Sequence, residues 1–416
     1  MCGRLEVEWV PVCDDEKFIN STKRPPSLGE ELKPEECFTL ACSSALQGAG
    51  RVASNPLVGV VAVDKDHKFI GLGAHLQFGQ AHAEANLIKF IEDNGLISHL
   101  AGATLYCTLE PCSFHGKTPS CAKLLSSMPI KKLIYGQMDP NIKVNGRGLR
   151  ILKEAGVVCE QDSRFTKESA RLIKHFSWSL INAKPYVALK MAMSFDGKVG
   201  KDSTERFWIT GERSRQYGHW LRHFYEGILI GAETVIVDNP SLSVRHTEIF
   251  SPSPVAKVIL DPNGRALLSR CLSKHRLLTS LTSSDRVYWV VKKGLNEKKF
   301  EVIQKQLEQV GASLIQLECD HLGLDLKTLL VSLYDLGIHS LLLEGGRHVW
   351  SSFLSQQLVQ SLHAFHASTI LGGENYHRWD DCLSPIEGTK LVRKRISPMT
   401  SDWLIEADLK YPGEVL

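Results

Sequence analysis

The feature that most limits this chain is a spaced set of metal-ligating side chains: His82-Ala83-Glu84, then Pro111-Cys112, then Cys121. One imidazole and two thiolates are three ligands of the kind a catalytic zinc site takes from protein, with a fourth position left for water. Glu84, two residues beyond the histidine, is placed to exchange protons with that water rather than to bind the metal. Both ligand groups stand where helices are expected to open, and a helix N-terminus favours the thiolate that zinc needs. Taken singly, His82 reads as an ordinary histidine and Cys112 and Cys121 as buried thiols. Together with Glu84 and Pro111 they require a fold that gathers three separate segments at one point.

Composition sets the frame. The 416 residues are 43% hydrophobic and 23% charged, which suits buried cores, and two domains are expected at roughly 100–200 residues each. The 49 basic and 46 acidic side chains leave a net charge of +3, too small for a general pull on nucleic acid or an anionic membrane. Apolar runs reach only about eight residues, as in 56–63, well short of the ~20 that a membrane helix needs. A transmembrane chain, a collagen-like fibre and a disordered chain are excluded. Eleven cysteines over this length are too sparse for a disulfide scaffold. Met1–Lys17 lacks the basic and apolar blocks of a secretory signal, and residues 1–36 carry nine acidic side chains against five basic, unlike a transit peptide. The expectation is a cytoplasmic, reducing setting with thiols free or bound to metal; Cys2 and Cys13 read as ordinary thiols.

Residues 1–34, with Pro25, Pro26 and Pro34, read as a polar extension, loosely docked at most. A first α/β domain is expected over 35–165, a linker helix over 166–183 ending at Lys184-Pro185, and a second α/β domain over 184–416. In the first, Glu36–Gln47 and His82–Asp93 have helical spacing, and Leu57–Val63, Phe69–Gly73, Ala103–Thr108, Lys131–Tyr135 and Gly156–Cys159 read as strands. In the second, strands are expected at Tyr186–Met191, Gly227–Gly231, Ala256–Leu260, Val287–Val291, Ser313–Gln316, Ser340–Glu344 and Ser361–His366. Strands alternating with helices imply α/β layers. No internal repeat or low-complexity tract is visible.

Histidine, glutamate and a Pro-Cys with a second cysteine follow the zinc-deaminase pattern, whose common form spaces the cysteines by two residues. Here eight residues intervene, Ser-Phe-His-Gly-Lys-Thr-Pro-Ser. That spacing, with Gly116-Lys117-Thr118-Pro119 inside it, resembles the deaminase half of the bifunctional riboflavin-biosynthesis deaminase–reductase family. The resemblance implies one Zn2+ per chain on His82, Cys112 and Cys121, with Glu84 catalytic. It implies that Asn55 contacts the pyrimidine ring, that His75 contacts substrate, and that Lys117 lies near the substrate phosphate. Asp139-Pro140-Asn141 and the residues to Gly148 match a substrate-binding loop, which alone would read as a surface turn. One departure is Val52-Ala-Ser54 where the family has Thr-x-Pro before Asn55-Pro56.

The C-terminal half has no G-x-G-x-x-G after its first strand, which argues against an ordinary Rossmann site. Instead, strand Ser340–Leu343 runs into Glu344-Gly345-Gly346 and an expected helix, His348–Gln357; glycines there let backbone N–H groups approach a phosphate. Lys190-Met-Ala-Met-Ser194-Phe-Asp196-Gly197, Trp208-Ile-Thr-Gly211, Gly231 to Pro240 and Leu371-Gly-Gly373 resemble the same family's reductase half, in family order. The resemblance implies an NADPH site lined by Ala192, Trp208, Thr234, Asp238, Gly346, Arg347, His348, Val349, Trp350, Ser351 and Ser352. It implies substrate contacts from Arg206, Arg222, Leu242, Arg245 and Glu344. Lys190 is a candidate proton donor. Two arginines supply forked donors for a phosphate.

The fold implied is a cytidine-deaminase-like α/β/α domain followed by a dihydrofolate-reductase-like α/β domain. The function implied is zinc-dependent hydrolytic deamination of 2,5-diamino-6-(5-phosphoribosylamino)pyrimidin-4-one, then NADPH-dependent reduction of its ribosyl group to ribityl. The partners are small phosphoribosylaminopyrimidines, with neither nucleic acid nor membrane; homo-oligomerisation is left open. Two other readings stand beside this one. A tRNA-type zinc deaminase with an unrelated tail predicts a basic groove with interleaved aromatics, which the net charge does not suggest. A non-catalytic zinc scaffold has no use for Glu84.

Overall fold

The computed structural model describes residues 26–413 apart from 115–118, 143, 202–206, 244–254, 282–284, 296, 321–322 and 383–385. Cys2, Cys13, Lys117, Arg206 and Arg245 lie outside the described residues. The chain divides into two compact units between Asn182 and Ala183.

The first unit holds one five-stranded sheet. Its strands are β1 (Gly59–Val63), β2 (Phe69–Ala74), β3 (Thr104–Leu109), β4 (Lys132–Gln137) and β5 (Val158–Gln161), in the order β2-β1-β3-β4-β5. β1 runs antiparallel to both β2 and β3, whereas β3, β4 and β5 are parallel. β1 is apolar throughout because helices cover both of its faces. Val61 and Val63 pack with Phe38 and Ala41 of helix Pro34–Ala45. Val60 and Ala62 pack with Leu87 and Ile91 of helix Ala83–Asp93 and with Leu125 and Leu149. Gly73 of β2 is required by this contact: a Cβ there would lie 2.2 Å from the Ala83 carbonyl oxygen. Its absence lets the first turn of helix Ala83–Asp93 seat against the sheet.

Two expectations change here. The run Thr166–Asn182 is not one helix but two, Thr166–Leu172 and Lys174–Asn182, interrupted at buried Ile173. The end of the polar extension is docked: Gly29 and Leu32 N–H groups donate to the Phe69 and His67 carbonyls, and Leu32 is buried.

The second unit is built on a nine-stranded sheet. Its strands are β6 (Tyr186–Met193), β8 (Gly227–Gly231), β9 (Ala256–Leu260), β10 (Val287–Lys292), β11 (Ala312–Leu317), β14 (Ser340–Gly345), β15 (Ser361–Ala367), β17 (Lys390–Met399) and β18 (Asp402–Lys410). Two small antiparallel ribbons account for β7 (Lys198–Lys201) with β16 (Tyr376–Arg378) and β12 (Cys319–Asp320) with β13 (Gly323–Leu324). The sheet order is β11-β10-β9-β8-β14-β6-β15-β18-β17. Pairing is parallel from β11 across to β15, and β18 and β17 close the sheet as an antiparallel hairpin that the sequence did not announce. β8–β11 spread to one side of β6, β15 lies on the other, and β14 inserts between β6 and β8. This is a point where the strand order reverses, and ligands of open α/β sheets sit outside the carboxyl ends of strands at such points. Alternate residues of β8–β10 feed two cores, Leu229, Val258 and Val290 into one and Ile228, Ile259 and Trp289 into the other.

Among the described residues no helix is long and apolar enough to cross a membrane.

Candidate active sites

In the first unit, His82 occupies the N-cap of helix Ala83–Asp93, so its ring leaves the helix start while Glu84 falls in the first turn. Cys112 lies in the loop after β3, and Cys121 opens the short helix Cys121–Ser126, whose N-cap Ser120 donates from its hydroxyl to the Cys112 carbonyl at 3.0 Å. The sulfurs of Cys112 and Cys121 lie 3.5 and 3.4 Å from His82 Nδ1. One ligand atom from each of the three residues lies within 4.8 Å of the others.

The donor set fits zinc. The Cys121 N–H donates to the Cys112 sulfur at 3.4 Å. With the Cys121 thiol and His82 also turned toward it, the Cys112 thiol is pushed down to about 4. Cys121 shifts the opposite way, because its proton is shared with the Cys112 thiolate. The Cys112 thiolate in turn raises His82. Glu84 is only 3% exposed, and burial, reinforced by the negative charge of Cys112, pushes its carboxyl up to about 7.

His75 and Asn55 join this cluster. The Asn55 amide donates to His75 Nε2 at 3.1 Å, and His75 Nδ1–H donates to the Ala81 carbonyl at 3.0 Å. Burial lowers the His75 pKa and keeps it neutral, which that bonding pattern requires. Its ring stands edge-on to His82, centroids 5.1 Å apart. Asp139 is buried and accepts from the Asn141 N–H at 2.8 Å, and burial raises its carboxyl to about 6.

Glu110 was not singled out from the sequence. It is a buried carboxylate at the end of β3, immediately before Pro111-Cys112, and it binds backbone N–H groups of the 139–148 loop. The only signal in the sequence was its place next to the ligand motif.

In the second unit Ala192, Thr234 and Glu344 lie at or just beyond the carboxyl ends of β6, β8 and β14. Glu344 receives a two-point contact from Arg222, whose Nη2 donates to Oε2 at 2.7 Å and whose Nε donates to Oε1. Arg222 Nη1 also donates to the Ser243 carbonyl at 2.9 Å. Arg222 and Glu344, both expected as separate substrate contacts, therefore pair with each other. Lys190 on β6 extends beneath the helix Glu212–Leu221, its ammonium 5.8 Å from the Phe365 ring centroid. Burial lowers its pKa and the Glu344 charge opposes that. Leu242 is buried and holds a left-handed backbone (φ 52), a strained conformation beside the Arg222 pair.

The cofactor run is divided by its own helix. Val349 and Trp350 of helix Arg347–Ser355 are in the core, and Ser351 Oγ donates to the Cys382 carbonyl. What this run offers a ligand is its first-turn backbone, capped by Gly346. Beside it, helix Ala232–Asp238 starts after β8 and brings Thr234 Oγ1 to 3.7 Å from where a Gly346 Cβ would lie. Adjacent glycine-capped helix starts suit a phosphate-bearing nucleotide. The Trp350 indole N–H, buried beneath Gly345, has no partner among the described residues. Ala192 is half-buried on β6, Asp238 closes helix Ala232–Asp238, and Trp208 is 56% exposed with the Arg215 guanidinium 4.9 Å from its ring. Asp196 accepts from Ser194 Oγ and from the Leu371 and Gly372 N–H groups, joining two of the sequence segments read as reductase-like.

Each unit matches a known protein family. Residues 33–137 match the family described as cytidine and deoxycytidylate deaminase zinc-binding region, and residues 185–405 match the RibD C-terminal domain. The riboflavin biosynthesis protein RibD of Actinobacillus pleuropneumoniae is 34% identical over 80% of this chain and 83% of its own. That of Bacillus amyloliquefaciens is 35% identical over 82% and 85%. Among solved structures, Acinetobacter baumannii RibD superposes with a TM-score of 0.74 at 30% identity, covering 90% of this chain and 98% of its own. A diaminohydroxyphosphoribosylaminopyrimidine deaminase/5-amino-6-(5-phosphoribosylamino)uracil reductase from Thermotoga maritima gives the same figures. The first unit is thus cytidine-deaminase-like and binds zinc, and the second is a dihydrofolate-reductase-like, NADPH-dependent domain. The chain belongs to the RibD family, the bifunctional deaminase–reductases of riboflavin biosynthesis.

Proposed function

We propose that this chain acts twice on one small molecule, deaminating 2,5-diamino-6-(5-phosphoribosylamino)pyrimidin-4-one and then reducing the ribosyl group of the product to ribityl. The observation that carries the first step is the convergence of His82, Cys112 and Cys121 beside a buried Glu84. Zinc, when bound, makes a coordinated water acidic near neutral pH. Glu84 takes the proton of the attacking water and delivers it to the departing ammonia, a two-way transfer open to a buried carboxyl beside the metal ligands. The water oxygen adds to the amine-bearing ring carbon, and the C–NH2 bond then breaks, so that a carbonyl remains on the ring and ammonia leaves. Asn55 and neutral His75 orient the pyrimidine, and Asp139 and Asn141 close on it from the loop. Lys117 is assigned to the phosphate.

For the second step, NADPH supplies a hydride to C1 of the opened ribose. The first-turn backbone of helix Arg347–Ser355, with Thr234, Asp238, Ala192 and Trp208, holds the cofactor. Arg222 and Glu344 act on the substrate as a pair, alongside Leu242, Arg206 and Arg245. Lys190, half-buried near that pair, holds the proton that balances the hydride. We place the protein in the cytoplasm, where its free cysteines suit a reducing medium.

Three incubations separate the readings. The diaminopyrimidine should release ammonia, while free cytidine and tRNA should not. Deamination of tRNA or cytidine in place of the diaminopyrimidine would refute the assignment.

A further inference from the structure

We propose that Glu110 is a positioning residue for deamination, fixing the 139–148 loop against the end of the strand that leads into Cys112. The inference rests on the substrate reading given above. Glu110 sits where β3 ends, and its own N–H donates to the Gln137 carbonyl at the end of β4. Its carboxylate is buried and accepts three backbone N–H groups from one loop. Oε2 takes Gly146 at 2.9 Å and Asp139 at 3.4 Å, and Oε1 takes Gly148 at 3.2 Å. Gly146 is the N-cap of helix Arg147–Glu154, so one carboxylate both ends the loop and starts the helix.

Two further contacts tie the same segments. A Cβ on Gly148 would lie 1.9 Å from the Pro111 carbonyl oxygen, so the helix start touches the backbone that leads into Cys112. Inside the loop, the Asp139 carboxylate accepts from Asn141 and the Asn145 amide donates to the Asp139 carbonyl at 3.1 Å. Glu110 is therefore the group from which Asp139 and Asn141 hang, while His82, Glu84 and Cys121 are fixed by other elements. Loosening the clamp should weaken binding of substrate and transition state alike. Uniform loss of that kind raises KM and leaves kcat in place.

Glu110→Gln keeps the shape but turns an amide NH2 toward one of the three N–H groups. A charge-assisted bond lost from a buried site corresponds to roughly ten- to a hundredfold in binding. We expect KM for the diaminopyrimidine to rise by that factor, with kcat within about threefold of wild type on the same principle. Zinc should stay at one per chain, and NADPH oxidation with the deaminated intermediate should be unaltered. Gly148→Ala, which wedges the helix start off Pro111 with the carboxylate intact, should give the same split. An unchanged KM in Glu110→Gln overturns the inference. So does zinc loss in step with activity, since the carboxylate would then serve the metal and not the loop. A wild type that releases no ammonia from the diaminopyrimidine would overturn the substrate reading itself, and the inference with it.

Discussion

Arg222 and Glu344 form a two-point ion pair at the mouth of the nine-stranded sheet, with side chains only 12% and 10% exposed. A pair this buried gains little over an apolar one, yet removing a single partner strands a charge. Arg222→Ala should therefore do more than weaken substrate binding. We expect the second unit to lose about 3–5 kcal/mol in denaturant unfolding. The double variant Arg222→Ala/Glu344→Ala should recover part of that loss, and additive losses would contradict a shared pair.

Cys112→Ser replaces a soft thiolate, held near 4, by a hydroxyl. Elemental analysis should find one zinc per wild-type chain and none in this variant. Zinc retained at full occupancy would refute the ligand set.

Glu84→Gln keeps the side chain's shape and removes its base. Zinc should remain, and ammonia release should fall by about 10²–10⁴, roughly 3–5 kcal/mol in the barrier. The same variant, given the deaminated intermediate, should oxidise NADPH at the wild-type rate, because the residues assigned to the reductase belong to the other compact unit.

His275 is fully buried against Trp289, ring centroids 5.3 Å apart, and burial lowers its pKa below the ordinary 6.5. A histidine depressed in the folded state binds its proton first in the unfolded chain. Its contribution to stability is complete above 6.5 and is lost as pH falls from there toward the folded value. Unfolding of the second unit, followed by Trp289 fluorescence, should weaken below pH 6.5, and His275→Phe should flatten that slope. An unaltered slope would show that other groups set it.

The zinc cluster was legible because its chemistry is carried by residue types that have few other uses in combination, and because each ligand sits next to its own local signal. β1 was legible because both its faces are buried, so every position is apolar. β17 was not. It is an edge strand, mostly exposed and rich in Lys and Arg, with a bulge at Arg393 (φ 47), so neither alternation nor apolarity marks it. The break at Ile173 follows from tertiary packing, since the residues around it have good helical spacing. Arg222 and Glu344 are 122 positions apart, and Glu110 meets its loop 29 to 38 positions away. Each is chemically ordinary by itself, and only the sheet order brings its partner close.

The most direct test of two activities on one chain is to supply the diaminopyrimidine and NADPH to a single purified sample and to count ammonia against NADPH consumed. The account predicts that both appear, converging on one NADPH oxidised per ammonia released. Ammonia without any NADPH oxidation, even when the deaminated intermediate is added directly, would contradict it.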